Sequence, residues 1–407
     1  MNPLLRDLRP YPFERLAKLL DGCEPEGNLE PILMTMGEPT HPAPPIVERA
    51  MIRALPLMGK YPPTKGPGFL REAIADWIRR RHGLALDPER NILPALGTRE
   101  ALFCVAQVVL GGEAGKGAQG GEGGGPLAAC PNPFYQIYEG AAIMAGAQPV
   151  FLNLRPPTFL PDFDELEPKT WRRVKLVYVC SPGNPAGGVL PLPMWKKLFD
   201  LQSEHGFAIV SDECYGEIYI DKNAPCGMFD ACREYGADLT GKIAVNSLSK
   251  RSNVPGLRSG FVAGCGQIVA SMLKYRTYSG AAMSLPVARV SADLWADEKH
   301  VEENRELYKE KFKRSYYALK GDFDVRLPQA GFYYWMKAPG GLTGEEFARR
   351  LWVRRAVKVL PGAFMARESG GANPGARRAR VALTANLGQI EEACRRLVDF
   401  ARFDLGN

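Results

Sequence analysis

Four apolar segments of the sequence end or begin at polar side chains that could do chemistry. These side chains are, in chain order, Asn184 after VYVCSPG, Asp212 and Tyr215 in FAIVSDECY, Ser247, Ser249 and Lys250 in IAVNSLSK, and Arg258 before SGFVAG. Ligands of open α/β sheets bind outside the carboxyl ends of the strands, so residues placed there are candidates for one site. Each is a weak signal alone, because a lysine after a strand is usually solvated and an aspartate there is more often a helix cap.

A second candidate feature is an anion site at the start of a helix. Gly97, Thr98 and Arg99 lie where a loop enters the helix-like segment TREALFCVAQVVL. Backbone N–H groups at a helix N-terminus favour a phosphate dianion, so these three residues are candidate phosphate ligands.

The stretch at residues 111–125, GGEAGKGAQGGEGGG, also contains a GxGxxG pattern. A helix-like segment precedes this pattern, more glycine follows it, and neither serine nor threonine follows Lys116. The strand and helix that a nucleotide-binding loop needs are therefore not indicated. We expect residues 111–125 to form a flexible surface loop.

The elements that position these residues alternate between strand-like and helix-like segments. Short apolar runs such as PVFLNL, VKLVYVC and GFVAGC are typical of buried strands, and amphipathic stretches such as 68–81 and 192–205 lie between them. This alternation predicts an α/β fold with a mostly parallel sheet covered by helices on both faces. From about Leu285 a long charged helical segment and two further strands indicate a second, smaller lobe.

The overall composition indicates a globular enzyme. The 407 residues carry a net charge of +7 with no basic block, so we expect no nucleic-acid partner, and the charge is either a mild bias towards anionic small molecules or an ordinary surface. The nine cysteines include no CxxC pair and there are four histidines, so no metal site is expected. With neither a signal peptide nor a membrane segment indicated, we expect reduced thiols and a cytoplasmic location.

The order and spacing of the four motifs, Asn-Pro-x-Gly, Asp-Glu-x-Tyr, Ser-x-Ser-Lys and Gly-x-Arg-x-Gly, resemble the fold-type-I, class I/II aminotransferases. The resemblance covers nearly the whole chain and includes GEPT, YPPTKGPGFLREAIA, LGTREAL, PNPFYQIYEGA and RRARVAL. It implies a large cofactor-binding domain at residues 46–285 with a mostly parallel seven-stranded sheet. It also implies a smaller α/β domain built from both chain ends, residues 1–45 and 286–407.

The resemblance implies pyridoxal 5'-phosphate as cofactor, which does the hard chemistry while the protein holds it and moves one proton. Lys250 would bond to the cofactor aldehyde and then act as general base and acid at the substrate Cα. Asp212 would pair with the pyridine nitrogen, and Asn184 and Tyr215 would contact the 3-oxygen. The implied catalytic residues are thus Lys250, Asp212 and Tyr215.

The resemblance also assigns the remaining cofactor contacts. The residues it adds to the phosphate site of Gly97, Thr98 and Arg99 are Ser247, Ser249 and Arg258. Tyr135 stands where many relatives carry a tryptophan stacked on the cofactor ring, although it could be an ordinary core aromatic. Tyr61 would reach the cofactor of a neighbouring subunit, which makes a homodimer part of the expected mechanism.

The substrates implied are small amino and keto acids. Gly37 and Asn184 would lie on the substrate side, and Arg380 would bind the α-carboxylate, although Arg377 and Arg378 crowd beside it.

Three segments, MNPLLRDLRPYPFERL, PNPFYQIYEGAA and VLPGAFMARESGGANPGARRARVAL, resemble the succinyldiaminopimelate aminotransferase subgroup of lysine biosynthesis. That likeness implies exchange of an amino group between glutamate and N-succinyl-2-amino-6-oxopimelate, with Arg367 and Asn373 as candidates for the distal groups. Another amino-acid aminotransferase, such as an aspartate or alanine type, or a β-eliminating lyase would share every cofactor residue and stays an alternative. A ligand sensor on this fold would need an added DNA-binding domain, for which there is no room before Gly37.

Overall fold

The computed structural model describes residues 1–117 and 124–405. The strands are β1 Ile32–Leu33, β2 Ile92–Ala95, β3 Leu127–Asn132, β4 Gln148–Arg155, β5 Leu160–Pro161, β6 Val174–Cys180, β7 Ala208–Asp212, β8 Lys242–Ser247, β9 Gly260–Gly264, β10 Tyr333–Lys337, β11 Val357–Lys358, β12 Leu360–Pro361 and β13 Arg378–Ala382. The helices are α1 Pro12–Leu19, α2 Pro45–Ala54, α3 Gly68–His82, α4 Thr98–Gly117, α5 Ile137–Met144, α6 Pro168–Trp171, α7 Leu192–His205, α8 Met228–Tyr235, α9 Leu248–Arg251, α10 Gly266–Ser279, α11 Leu285–Ala296, α12 Lys299–Leu319, α13 Gly344–Arg355 and α14 Leu387–Phe403.

The central sheet of the described chain has the strand order β2-β9-β8-β7-β6-β3-β4-β5. Strands β3, β4, β6, β7 and β8 pair in parallel, whereas β9 runs antiparallel to both of its neighbours and β5 antiparallel to β4. The predicted mostly parallel sheet is confirmed, with the two-residue β5 as one strand more than the seven expected. The carboxyl ends of β6, β7 and β8 lie side by side at one edge.

Two hydrophobic cores cover the faces of this sheet, which explains why its central strands are buried along their whole length. One core contains the buried indoles of Trp77, Trp195 and Trp295. The other contains Tyr138 and Tyr178, whose rings stack at 4.7 Å between centroids. Helices on both faces therefore hold the strand ends rigidly in place.

A second part of the structure contains the sheet β10-β13-β12 and the parallel pair of β1 with β11. Ile32 near the N-terminus pairs with Val357, so both ends of the chain contribute to this part. Its core includes residues of α12, α13 and α14. Trp295 of α11, in contrast, packs against Trp77 and Phe261 of the large core. The domain boundaries stated above stay a prediction.

The expectation of a loop at residues 111–125 is wrong for its first half, because α4 continues to Gly117. Extending an existing helix costs far less than starting one, and the turns before Gly111 are anchored by buried residues such as Leu102 and Leu110, so the helix continues despite its glycines. Residues 118–123 of the expected loop lie outside the described residues.

Two structural features are absent from the described residues. No helix within them is long and apolar enough to cross a membrane. The same ranges contain no group of three or more His, Cys, Asp or Glu side chains that could hold a metal ion.

Candidate active site

A cavity of about 380 Å³ lies at the carboxyl ends of the central strands. It brings together most of the residues that the sequence singled out, from segments as distant as the N-terminus and β13. The predicted residues that line it are Gly37, Thr98, Arg99, Tyr135, Asn184, Asp212, Tyr215, Ser247, Ser249, Lys250, Arg258 and Arg380. Gly97 lies next to this set, directly before α4.

Lys250 reaches the cavity from the short helix α9, which follows β8 without a break and is capped by the Ser247 hydroxyl. Its Nζ donates a hydrogen bond to the carbonyl oxygen of Gly37 and lies 5.4 Å from the centre of the Phe332 ring. Burial lowers the pKa of the Lys250 amine to about 8. A larger fraction of neutral amine is therefore present near neutral pH than for an exposed lysine, as a nucleophile or base requires.

Asp212 ends β7 and is buried at the base of the cavity. Its Oδ2 accepts a hydrogen bond from the Tyr138 hydroxyl at 2.7 Å, and its Oδ1 accepts one from the backbone N–H of Cys214 at 3.3 Å. Burial raises the pKa of this carboxyl group. A buried carboxylate is stabilised by a cationic partner, and the protonated nitrogen of a pyridine ring would be one.

Arg380 also lines the cavity, where two acceptors hold it. Its Nη1 donates to Oδ1 of Asn184 at 3.1 Å, and its Nη2 donates to the carbonyl oxygen of Thr35 at 2.7 Å. The Nε atom is buried and has no hydrogen-bond partner among residues 1–117 and 124–405. A buried donor without an acceptor is costly, so the guanidinium is suited to an incoming carboxylate.

The structure also separates Arg380 from its neighbours in the sequence. Arg378 lies outside the cavity lining, its Nη1 donates to the carbonyl oxygen of Trp335, and its guanidinium covers the Phe159 ring. Arg377 is exposed at the surface. Of these three arginines, Arg380 is the one that lines the cavity.

The anion site forms around the N-terminus of α4. Gly97 has a φ of +79°, and a Cβ atom there would clash with the Arg258 guanidinium. The Ser247 hydroxyl donates to the Ser249 hydroxyl at 3.0 Å, and both face the same cavity as Arg258. A helix N-terminus, two hydroxyls and a guanidinium in one cradle suit a phosphate dianion. Together with Asp212 and Lys250, these groups fit pyridoxal phosphate.

Tyr135 lines the cavity beside the anion site. Its hydroxyl accepts a hydrogen bond from Nε of Arg99 at 2.6 Å, and Nη2 of Arg99 also reaches the Tyr11 hydroxyl at 3.3 Å. The hydrogen bond to its hydroxyl therefore helps to hold the Tyr135 ring in place, in addition to packing.

Among the site residues that were not singled out from the sequence are three tyrosines. The Tyr333 and Tyr215 hydroxyls lie 3.0 Å apart, Tyr138 donates to Asp212, and Tyr11 lines the cavity. The register of β10 with β13 pairs Tyr333 with Ala382, which places its ring diagonally across from Arg380. Only that register would have identified Tyr333 in advance.

Three candidates are not brought into the cavity. Tyr61 is fully exposed, so it reaches no cofactor site within its own chain. Arg367 and Asn373 do not line the cavity either, so their contact with the distal substrate groups stays a prediction. The Arg367 guanidinium is buried in an ion pair with Glu139, and the Asn373 Oδ1 accepts from the backbone N–H of Gly375 at 2.9 Å.

Comparisons with known proteins agree with this geometry. Residues 30–397 match the family model of the class I and II aminotransferases. The structure resembles that of an aminotransferase from Neisseria meningitidis Z2491, with a TM-score of 0.93, 46% identity, and coverage of 99% of this chain and 100% of that one.

Two curated relatives have different substrates in their names. The LL-diaminopimelate aminotransferase of Aquifex aeolicus is 31% identical over 97% of each chain. The 4-dedimethylamino-4-oxo-anhydrotetracycline transaminase of Streptomyces rimosus is 31% identical over 97% of this chain and 100% of the relative. The family model, the match to a solved aminotransferase and the cavity around Lys250 lead to one conclusion: the chain belongs to the class I and II aminotransferases of fold type I, which use pyridoxal phosphate.

Proposed function

We propose that this aminotransferase exchanges an amino group between glutamate and N-succinyl-2-amino-6-oxopimelate, giving 2-oxoglutarate and N-succinyl-LL-2,6-diaminopimelate. The observation that carries the carboxylate assignment is Arg380, whose buried Nε lacks an acceptor while its two Nη atoms are already held. A substrate α-carboxylate would complete the hydrogen bonding of this guanidinium.

On this proposal, each of the main residues of the cavity has its own role. When bound, pyridoxal phosphate acts as an electron sink for the negative charge that develops at the substrate Cα. Asp212 would hold a proton on the pyridine nitrogen, since a buried carboxylate favours a cationic partner. Lys250 takes the Cα proton with its neutral amine and returns it. Asn184 and Tyr215 would hold the 3-oxygen, and the cradle around Gly97 and Arg258 would hold the phosphate.

The charge of the cavity supports the succinylated substrate. Besides Lys250, Arg258 and Asp212, which would hold the cofactor, the basic Arg99 and Arg380 line it against the acidic Glu38. N-succinyl-diaminopimelate carries three carboxylates and one ammonium group, whereas diaminopimelate itself carries equal numbers of both. A basic cavity attracts the more anionic molecule more strongly. The main alternative is unmodified LL-diaminopimelate, which is the substrate in the name of the Aquifex aeolicus relative.

The test is a comparison of two amino donors with the purified holoenzyme and 2-oxoglutarate. N-succinyl-LL-2,6-diaminopimelate and LL-2,6-diaminopimelate are assayed in parallel for glutamate formation, with Lys250→Ala as the inactive control. We expect kcat/KM to be at least tenfold higher for the succinylated donor, as about 1.4 kcal/mol of extra ionic attraction would give. An equal or higher value for the unmodified donor would reject the succinyl assignment and leave the aminotransferase intact.

We also propose that two copies form the working unit in the cytoplasm, with Tyr61 of each completing the phosphate site of the other. Tyr61 is fully exposed, and the apolar side chains of Leu55 and Met58 close to it in sequence are more than half exposed. We infer that these side chains form part of the surface that the second copy covers, because contiguous exposed apolar surface marks interaction sites. Sedimentation of the holoenzyme should give a dimer. In a mixed dimer of one Lys250→Ala chain and one Tyr61→Phe chain, one site should then carry both changes and the other site neither. A monomer would contradict the proposal.

A further inference from the structure

Tyr333, the first residue of β10, contacts three of the residues assigned above to the cofactor and the substrate. Its hydroxyl lies 3.0 Å from the Tyr215 hydroxyl. The Arg380 guanidinium lies over its ring, 4.4 Å from the ring centre. Its hydroxyl also packs so closely on Gly37 that a Cβ atom at that position would clash with it. The side chain is buried and lines the cavity, so its position is fixed on every side.

We propose that Tyr333 is a positioning residue that donates its hydrogen bond to Tyr215, and so leaves the Tyr215 hydroxyl free to donate to the cofactor 3-oxygen. This inference rests on the proposed function, specifically on the role of Tyr215. Tyr333 would thus add a second hydroxyl to a hydrogen-bond chain that runs from Tyr333 to Tyr215 to the cofactor.

The direction of donation follows from the number of protons. Each phenol has one O–H group, so the two tyrosines share one hydrogen bond and retain one further O–H. If Tyr215 donates to the cofactor, Tyr333 must be the donor within the pair. Burial raises the pKa of Tyr333, and the positive charge of Arg380 over its ring opposes that effect, which helps this phenol to donate. The pKa of Tyr215 is raised well above its usual value by burial.

A chain of two hydroxyls is more effective than one, because a hydroxyl that accepts a hydrogen bond is polarised and donates more strongly. A donor to the 3-oxygen competes for that oxygen with the protonated nitrogen that links Lys250 to the cofactor. The linkage therefore loses its proton more readily, and its pKa is lower, when the chain is complete. Tyr333 accordingly acts on the cofactor without touching it.

Tyr334 provides a matched control on the same strand. Its side chain points to the other face of β10, and its hydroxyl lies 3.0 Å from that of Ser315 and 3.3 Å from the carbonyl oxygen of Phe312 in the core beside α12. Tyr334→Phe thus removes a buried tyrosine hydroxyl from the neighbouring position and leaves the cavity unchanged. Tyr333→Phe keeps the ring beneath Arg380 and removes only the hydroxyl.

The experiment is a pH titration of the visible absorbance band of the lysine-bound cofactor. It uses the holoenzyme and the variants Tyr333→Phe, Tyr215→Phe, the double variant and Tyr334→Phe, with KM for glutamate measured alongside. We expect Tyr215→Phe to raise the pKa of the band, and Tyr333→Phe to raise it by a part of that shift, up to about one pH unit for the loss of one hydrogen bond. The double variant should match Tyr215→Phe, and Tyr334→Phe should match the unmodified enzyme.

The outcomes separate this inference from the proposed function. A shift in Tyr215→Phe with none in Tyr333→Phe overturns the role of Tyr333 and leaves that of Tyr215 in place. Shifts that add in the double variant also overturn it, because Tyr333 would then act independently of Tyr215. No shift in Tyr215→Phe overturns both roles, while glutamate-dependent activity in the same samples keeps the aminotransferase assignment. An unchanged KM for glutamate in Tyr333→Phe supports the inference, because the Arg380 site is intact.

Discussion

The guanidinium of Arg380 donates a hydrogen bond to the side-chain oxygen of Asn184 at 3.1 Å, joining residues 196 positions apart in the sequence. Asn184 follows β6 of the central sheet, whereas Arg380 lies in β13 of the second sheet. The group assigned to the substrate carboxylate is therefore attached directly to a group assigned to the cofactor. Substrate and cofactor are positioned by one continuous network.

Replacing Arg380 by lysine should weaken the use of glutamate. Lysine keeps the charge but cannot make the forked contact, so about two charged hydrogen bonds of roughly 1.5 kcal/mol each are lost, which lowers kcat/KM about a hundredfold. Steady-state kinetics with glutamate measure the effect. Arg378→Lys is the control, because Arg378 lies outside the cavity lining, and it should change kcat/KM by less than about threefold. Equal losses in both variants would contradict the assignment of Arg380.

The hydrogen bond from Tyr138 to Asp212 should contribute to cofactor affinity. Tyr138→Phe removes a donor that favours the ionised carboxylate, so the pKa of Asp212 rises further and its pairing with the pyridine nitrogen weakens. We expect Kd for pyridoxal phosphate to increase about tenfold, as one charged hydrogen bond implies.

Tyr178→Phe is the control for this change. The Tyr178 ring stacks on that of Tyr138, but its hydroxyl donates to the carbonyl oxygen of Leu102 at 2.8 Å, away from Asp212. Both variants lose one buried hydroxyl from the same core. Fluorescence titration of the cofactor-free proteins should show weaker binding for Tyr138→Phe alone, and equal Kd values would show that the hydroxyl at Asp212 has no special role.

Gly97→Ala should abolish tight cofactor binding through the anion site. A Cβ atom there would clash with Arg258, and the positive φ adds strain of about 1 kcal/mol. Gly206→Ala separates the clash from the backbone strain. Gly206 has a φ of +74° at the end of α7, but no atom lies within 4 Å of the added Cβ, so this variant has the strain without the clash. Thermal denaturation should show a loss of stability in both. Retained cofactor affinity in Gly97→Ala would rule out this loop as the phosphate site.

Cofactor incorporation should depend on pH through Lys250. The neutral amine is the nucleophile, and the pKa of Lys250 is lowered by burial from 10.5 to about 8. The rate at which the cofactor-free protein binds pyridoxal phosphate covalently should therefore rise about tenfold per pH unit below pH 8 and level off above it. Stopped-flow absorbance measures this rate. A rate that continues to rise beyond pH 9 would show that the amine is not buried in the cofactor-free protein.

Part of the site could be predicted from the sequence because it depends on local structure. Asp212 ends one buried parallel strand and Lys250 follows another, and the carboxyl ends of such strands meet at one edge of the sheet. Gly97 precedes a helix whose N-terminus points into the cavity. In each case, the strand or helix on which the residue lies determines where its side chain is placed.

The rest depends on contacts between distant segments, which local patterns do not contain. Tyr333 meets Tyr215 only through the packing of the second sheet on the first, across 118 positions of sequence. Arg367 stands in a segment that resembles the succinyldiaminopimelate aminotransferases, yet its guanidinium forms an ion pair with Glu139 from α5. The extension of α4 into a glycine-rich stretch likewise depends on how its earlier turns are buried.

The central claim is that Lys250 carries pyridoxal phosphate for amino-group transfer. Its most direct test is the visible absorbance spectrum of the purified protein, recorded before and after glutamate is added and repeated with Lys250→Ala. The account predicts a lysine-linked cofactor band that shifts when glutamate is added and is missing from the variant. A protein that shows no such band after incubation with pyridoxal phosphate, or a Lys250→Ala variant that keeps it, would contradict the account.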